Sequence, residues 1–515
     1  MATAVSQPDP VTPLTPAEDS FVAWLNSNST RDEVLTTLKA NLQTAVEIEI
    51  ATIPIYLYGY YSLVRDAESG ESISLEQLYA NKAGGVMMSV AIEEMLHMSL
   101  ASNILFALGV APQLYGRAPG QYPTGLPYHC PEGPVGPDGQ TAVLIPLAGY
   151  SFEQLWHYLQ IEYPETWDIA PLDRDWTTIG QFYSYIRCLL RTWFLTDADF
   201  QQGAAAQGIQ PGNYSPNNVD TVYPSAGFDP WKPAPPAPTP SWADPCPGAA
   251  AAAVYPDRED SHAGKSQLLT IASIQDAIEA IDTICDQGEG CPVPDIGPGP
   301  DDDPSKDEQS HYLKFLTLQA QFADYEGTSE SLPDQPPPPA LIQPTVTGDS
   351  LLAANVLIPF PDNPTTAGYP PELQPISAFC SGCFQYMLIM TETLYRVPPA
   401  EQKLFFNEGL HRSMIWVLDK YIKTIRQIPV GGGQFMGPTF ENVDLGPPVS
   451  SFAGLTALGN EAIAAANAYG TSNPSLNWLM VDVVYYIGIA LTASDTDGSP
   501  MHLPDVAPYW SDCAE

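Results

Sequence analysis

Glu94-Met95-Leu96-His97 and Glu308-Gln309-Ser310-His311 decide how this chain is read. Each is a Glu-x-x-His, and each follows a separate Glu on a helix-like stretch, Glu49 before the first and Glu289 before the second. Residues three apart on an α-helix share a face, so a Glu and a His at that spacing can reach the same ion. One carboxylate followed by a Glu-x-x-His, given twice, is the ligand inventory with which a four-helix bundle holds a pair of metal ions. Four carboxylates and two imidazoles suit hard or borderline divalent metals. The expected occupant is iron, as two ions, with manganese or another divalent metal as substitutes.

A Glu-x-x-His is short, and the placement of its residues on apolar stripes is what gives it weight. Leu42, Ala45, Val46, Glu49 and Ile53 follow the three-and-four spacing of a buried helix face, so Glu49 stands where a Leu is normal. Met87, Val90, Glu94, His97, Ala101 and Ile104 make a second such stripe. Ile274, Ile278, Ile281, Cys285 and Glu289 make a third, and Glu308, His311, Phe315 and Leu318 a fourth. An unpaired buried carboxylate costs on the order of several kcal/mol unless a cation or hydrogen bonds compensate it. Any one of these Glu residues taken singly is equally well read as a surface residue or a salt-bridge partner. Four converging on one core require cations. Without metal they should raise one another's pKa values, so that some of the sites take up protons.

The chain has 515 residues and a 44% apolar share, enough for one large domain with insertions or for two. Sixty acidic against 19 basic residues leave a net charge of -41, which repels nucleic acid and anionic membrane surfaces and excludes them as partners. The first residues lack the basic and apolar regions of a targeting signal, and Glu93, Glu94 and His97 interrupt the apolar run from Val86 to Leu108. A cytoplasmic protein without membrane spans is the expectation. Of eight cysteines, Cys380-Ser381-Gly382-Cys383 is the one C-x-x-C; with no thioredoxin-like surroundings it reads as two ordinary thiols or a local disulfide.

Thr30 and Glu33 fit a capping box, which starts a first long helix at about residue 30 and carries it past Pro54 to about Val64. Leu75 to Leu108 gives a second, ended by Gly109. A Pro- and Tyr-rich excursion over about 110–265 contains shorter helices near Ser151 to Glu162 and Ile179 to Phe194. Helices over about 270–289 and 305–324 follow. Four helices with one long crossover between the second and third form the ferritin-like bundle. The fold expected is therefore all-α: a ferritin-like four-helix bundle with large loop-rich insertions and further C-terminal helices packed on it. The divisions are an N-terminal extension (1–29), the metal-binding bundle (30–330, insertion about 110–265) and a C-terminal helical region (331–515). Phe379 to Tyr395 and Pro399 to Ile425 read as two helices of that region.

A third Glu-x-x-His, Glu408-Gly409-Leu410-His411, lies there with Glu392 before it, and with the first pair it would also complete a six-ligand set. Against it, Gly409 weakens a helix by about 1 kcal/mol relative to Ala, and Arg412, Lys420 and Lys423 mark a partly solvated face.

Several stretches resemble the ferritin-like domain family of the iminophenyl-pyruvate dimer synthases, known from violacein- and rebeccamycin-type biosynthesis. Glu49-Ile50-Ala51-Thr52-Ile53-Pro54-Ile55-Tyr56-Leu57 is similar to that family's first helix, and Glu93-Glu94-Met95-Leu96-His97-Met98 with Asn103-Ile104-Leu105 to its second. Ile161-Glu162-Tyr163-Pro164-Glu165, Ile179-Gly180-Gln181-Phe182-Tyr183, Gln287-Gly288-Glu289-Gly290 and His311-Tyr312-Leu313-Lys314-Phe315 resemble later segments in order, and Gly437-Pro438-Thr439-Phe440-Glu441 a closing one. The resemblance covers about residues 30–445 and assigns the metal to the first two Glu-x-x-His sequences. The violacein and rebeccamycin enzymes are longer, with a region absent here, so the substrate does not carry over. Haem occurs in some members, but no Cys-x-x-Cys-His attachment sequence is present.

Two functions follow. In the first, metals held by Glu49, Glu94, His97, Glu289, Glu308 and His311 use dioxygen or peroxide to oxidise a small organic substrate, amino-acid-derived or aromatic, in a biosynthetic pathway. Glu162, in an apolar context, is a further ligand or supports one; Tyr183 and Tyr312, with Tyr56 and Tyr60, line the pocket. Taken singly, each tyrosine is more readily an ordinary amphipathic core residue. His157 reads as structural, and Glu93 as facing a different helix. The alternative is a non-catalytic metal-binding or iron-handling protein, which the same architecture permits. Long insertions are more readily walls and lids for an organic ligand. Replacing His411 with Ala should leave the metal content of the purified protein unchanged; a loss equal to that caused by His97→Ala would transfer the site to the third Glu-x-x-His.

Overall fold

Thr30 Oγ1 accepts from the Glu33 backbone N–H at 3.3 Å while the Glu33 carboxylate accepts from the Thr30 N–H at 2.8 Å. This reciprocal cap opens α2 (Arg31–Ser62), which runs through Pro54 without breaking. The computed structural model describes residues 14–65, 74–129, 144–163, 170–200, 268–288, 310–323, 346–493 and 502–511. Before α2 stands a helix absent from the sequence reading, α1 (Pro16–Asn28), with its own capping box of Thr15 and Glu18. Thr15-Pro16-Ala17-Glu18 carries that signature as plainly as Thr30 to Glu33 does.

α2 packs along α3 (Leu75–Ala107), which ends where Gly109 takes a positive φ of 85°. The insertion supplies α4 (Phe152–Ile161) and α5 (Ile179–Leu190), and the later half of the bundle α6 (Ile274–Gly288) and α7 (His311–Gln319). α3 packs on α6, α2 and α6 on α5, and α4 on α7. The insertion is thus more than a cover, because two of its helices help to close the bundle.

α1 is fastened by charge. The Glu18 carboxylate that caps it is 1% exposed and also accepts from Arg187 Nε at 3.0 Å and from Ser184 Oγ at 2.6 Å. Arg187 Nη1 reaches Asp282 on α6 at 3.2 Å, so one guanidinium ties α1, α5 and α6 together.

Beyond a short α8 (Gly348–Ala353) come α9 (Gln374–Leu394), α10 (Pro399–Phe405), a π-helix (Phe406–Leu418) and α11 (Asp419–Ile425). The single helix expected from Pro399 to Ile425 is therefore three segments, the middle one wound with i→i+5 bonds. A two-stranded antiparallel ribbon (Pro429–Gly431 with Gln434–Phe435) follows. Two helices that the sequence reading did not name then pack together, α12 (Ser451–Ser472) and α13 (Asn477–Leu491). α12 is rich in Ala and Gly, a composition with little apolar contrast between faces. Its glycines serve close approach: a Cβ on Gly459 would collide with Leu491 of α13 and crowd Phe379 of α9.

The C-terminal helices pack on the bundle and share its core. Tyr395 Oη donates to Asn103 Oδ1 at 2.8 Å, Lys423 Nζ to Tyr60 Oη at 3.2 Å, and Arg426 to the carbonyls of Tyr61 and Leu63 at 2.8 and 2.9 Å. Cys380 and Cys383 are buried free thiols, pushed far up by burial, as ordinary core cysteines are. By length and composition alone the stretch Pro474–Leu491, which Asp482 interrupts, is apolar enough to cross a membrane. Here it turns Leu479, Met480, Val483 and Ile487 into the core.

Replacing Arg187 with Ala leaves Glu18 and Asp282 buried without their shared cation. A loss of about 3–5 kcal/mol in unfolding free energy is expected, measurable by denaturant titration. A change below about 1 kcal/mol, the range of exposed pairs, would show that α1 is not held this way.

Candidate metal centre

Five ligand-type side chains meet in the bundle, each at most 3% exposed: Glu49 from α2, Glu94 and His97 from α3, Glu162 at the C-terminal cap of α4, and His311 at the start of α7. One ligand atom from each of Glu49, Glu94 and His97 lies within 4.8 Å of the others, and the same holds for Glu94, Glu162 and His311. Both groups contain Glu94. His311 Nδ1 lies 2.9 Å from Glu94 Oε1 and 3.5 Å from Glu162 Oε2, and His97 Nδ1 lies 3.8 Å from Glu94 Oε1.

The opposite ring nitrogens are held from behind. His97 Nε2 faces Gln287 Oε1 of α6 at 3.0 Å, and His311 Nε2 faces Glu93 Oε2 at 2.7 Å. Glu93 in turn accepts from Lys314 Nζ at 2.5 Å and from Ser89 Oγ at 3.0 Å. The carboxylates are held as well: Tyr183 Oη donates to Glu49 Oε1 at 2.5 Å, Thr52 Oγ1 to Glu94 Oε2 at 2.6 Å, and Tyr56 to Glu162. A Cβ on Gly288 would stand 3.6 Å from Glu162 Oε2, which puts the end of α6 against the same cluster.

Glu289 and Glu308, the other two ligands expected from the sequence, lie outside the described residues. Glu93 does face another helix as expected, but that helix is α7, and through it Glu93 joins the centre. Tyr312 is buried edge-on to Tyr163, with ring centroids 6.3 Å apart. Tyr60 turns to Lys423 among the C-terminal helices, and His157 pairs with Gln160 at 3.2 Å. In the third Glu-x-x-His, Glu392 accepts from the backbone N–H groups of Leu114 and Tyr115 at 2.5 and 2.7 Å; the side chains of Glu408 and His411 lie outside the described residues. Gln287 and Lys314 were missed by the sequence reading. Lys314 stands three residues after His311, the one signal that could have marked it.

The electrostatics divide the carboxylates: Glu49 and Glu162 rise, as expected of some, while Glu93 and Glu94 fall. Burial and the neighbouring Glu94 push Glu49 well above the carboxylate range, and burial raises Glu162. Burial would raise Glu94 too, yet His311 and His97 bring it down to about 2. Glu93 is likewise held low against its burial, by Lys314 and His311. Burial lowers His97 to about 4, whereas His311, despite burial, is pulled far up by Glu162, Glu93 and Glu94. The three carboxylates around His311 thus favour its protonated form when no metal is bound.

The donor set fits a divalent cation. Three carboxylates and two imidazoles converge through oxygen and Nδ1, and each imidazole is oriented through Nε2 by an oxygen acceptor, the arrangement that fixes tautomer and direction in histidine metal sites. A family model described as Ferritin-like matches residues 42–225 and 249–320. The chain therefore carries a ferritin-like domain, and its fold is the all-α ferritin-like one. Among solved structures it is similar to a ferritin-like protein from Caulobacter vibrioides, at 16% identity over 74% of this chain and 95% of that one, with a TM-score of 0.37. No curated protein matches.

In the metal-free protein the pH dependence has a definite sign. Glu49, Glu162 and His311 have raised pKa values, so each stabilises the fold while protonated, and that stability is lost as pH climbs through the folded value. His97, Glu93 and Glu94 are lowered, and their contributions are complete above the ordinary histidine value of 6.5. From pH 6.5 to about 8 the melting temperature of metal-free protein should fall, while that of metal-loaded protein should hold or rise, because binding expels those protons. Parallel melting curves across that window would mean that these residues do not share a buried metal site.

Proposed function

We propose that this protein is a metal-dependent oxidoreductase that uses dioxygen or peroxide to oxidise a small organic molecule, aromatic or amino-acid-derived, in a biosynthetic pathway. The observation that carries the reading is the sharing of Glu94 by two buried carboxylate–histidine groups. That arrangement suits two ions joined by one carboxylate. Iron is the occupant favoured, and kinship with the iminophenyl-pyruvate dimer synthases belongs to the same proposal. When bound, such ions supply the electrons and the open coordination position that oxygen chemistry needs.

The chain's own groups have separable tasks. Glu49 and His97 would hold one ion, Glu162 and His311 the other, with Glu94 common to both. Gln287 and Glu93 keep the two imidazoles turned toward the centre. Lys314 holds Glu93 in its ionised form, so that Glu93 can accept from the His311 Nε2–H and leave Nδ1 as the atom that would hold a metal. Tyr183 and Tyr56 restrain the Glu49 and Glu162 carboxylates and are the nearest phenolic donors for a proton moved at those oxygens. Burial of all five ligands keeps bulk water away.

The test is oxygen uptake by anaerobically iron-loaded protein, with and without panels of aromatic and amino-acid-derived compounds. Uptake that needs both iron and one organic class is expected, and it should vanish in Glu94→Ala. Uptake indifferent to every compound would replace the proposal with iron handling. Glu93→Gln should weaken metal binding by about 10–100-fold with unchanged helix content, read by metal titration and circular dichroism.

A further inference from the structure

Between the ligand helices α2 and α3 and the C-terminal helices lies a small cavity, partly open toward solvent, with room of about 20 Å³. Its bundle wall is built from Ile50, Ile53, Met95 and Met98. Each follows a residue of the metal centre by one position: Ile50 after Glu49, Ile53 after Thr52, Met95 after Glu94 and Met98 after His97. One residue is a turn of about 100° around a helix, so the cavity occupies the face beside the ligands on both helices at once. The opposite wall is Phe384, Met387, Leu388 and Thr391 of α9 with Leu410 and Met414 of the π-helix.

The lining says what can occupy it. The one hydroxyl among these ten residues, on Thr391, donates to the Met387 carbonyl at 2.9 Å. A water needs two to four polar partners, and apolar cavities without them stay dry and take up apolar guests. Size excludes organic substrates, since a benzene-binding cavity measures about 150 Å³ while one water needs only about 10–15 Å³. What fits is a molecule of one or two heavy atoms. Four thioethers around it add soft, polarisable surface that adjusts to a guest. Met414 is only partly buried, so this wall reaches toward solvent, and the π-helix that carries it is a rare winding concentrated at functional positions.

We propose that this cavity is a binding site for a small apolar gas, and that its guest is dioxygen held beside the metal ligands. The gas site stands on the cavity alone; the choice of dioxygen rests on the oxidising function proposed above.

Xenon separates the two parts. The full chain, titrated with dissolved xenon and followed by ¹²⁹Xe chemical shift, should show saturable binding. Thr391→Ile and Leu410→Phe, which fill the cavity from the far wall, should abolish it. Methyl resonances of Met95, Met98, Met387 and Met414 should move with xenon in the wild type and not in these variants. Absence of saturable binding in the wild type, or equal binding in a folded filled variant, overturns the site. Should both filled variants fail to fold, xenon-induced shifts confined to those four methyls carry the test, and shifts elsewhere overturn it. Oxygen consumption by iron-loaded protein then decides the guest. Several-fold slower consumption in a filled variant with normal iron content is expected, and an unchanged rate overturns dioxygen as the guest. If the loaded wild type consumes none, it is the oxidoreductase reading that fails, while the xenon result still judges the cavity.

Discussion

The structure turns on the burial of charge at His311. Its ring stands among Glu93, Glu94 and Glu162, all three almost wholly removed from water. Charges in such surroundings cost several kcal/mol each unless geometry compensates them, to order of magnitude. Here compensation is local: Lys314 answers Glu93, the imidazolium answers Glu94, and Glu49 keeps a proton. A divalent cation does the same work with one group, which is why a cluster balanced by mobile protons is also a cluster prepared for metal.

Such a site requires rigid walls, and the rest of the chain supplies them from two sides. On one, α5 and α6 are pinned to α1 through Arg187, so the helix bearing Tyr183 and the helix bearing Gln287 are locked to each other. On the other, the C-terminal helices press on α2 and α3, with Arg426 and Lys423 tying down the end of α2. The ligand helices are gripped between these walls. Imidazole and carboxylate positions then depend little on the loops between them.

Four of the five clustered ligands were legible by spacing. Glu49, Glu94, His97 and His311 interrupt apolar stripes at helical intervals, and a charged residue in such a stripe demands an explanation. Glu162 was visible more faintly, as a carboxylate after an apolar helix, although nothing local says what it meets. Gln287 and Lys314 were not legible, since a glutamine and a lysine on helices are ordinary until the partner is known. α1 was legible in principle from its capping box. α12 and α13 were harder: Gly and Ala carry little periodic signal, and their value lies in letting backbones approach, which a single helix cannot reveal.

The residues alone marked the helices that carry the centre, their inward faces, and a carboxylate–histidine inventory suited to metal, because periodicity and capping act within a few residues along the chain; α1, α12 and α13 went unread. Only the tertiary structure shows that Glu94 belongs to both groups, that three carboxylates crowd His311, and that an insertion helix brings Glu162 to the cluster. Those outcomes depend on distances of a few ångströms between residues far apart along the chain, from Glu49 to His311, and on the loss of water around them. In such a core a neighbour's charge moves a pKa much further than it does in an exposed segment.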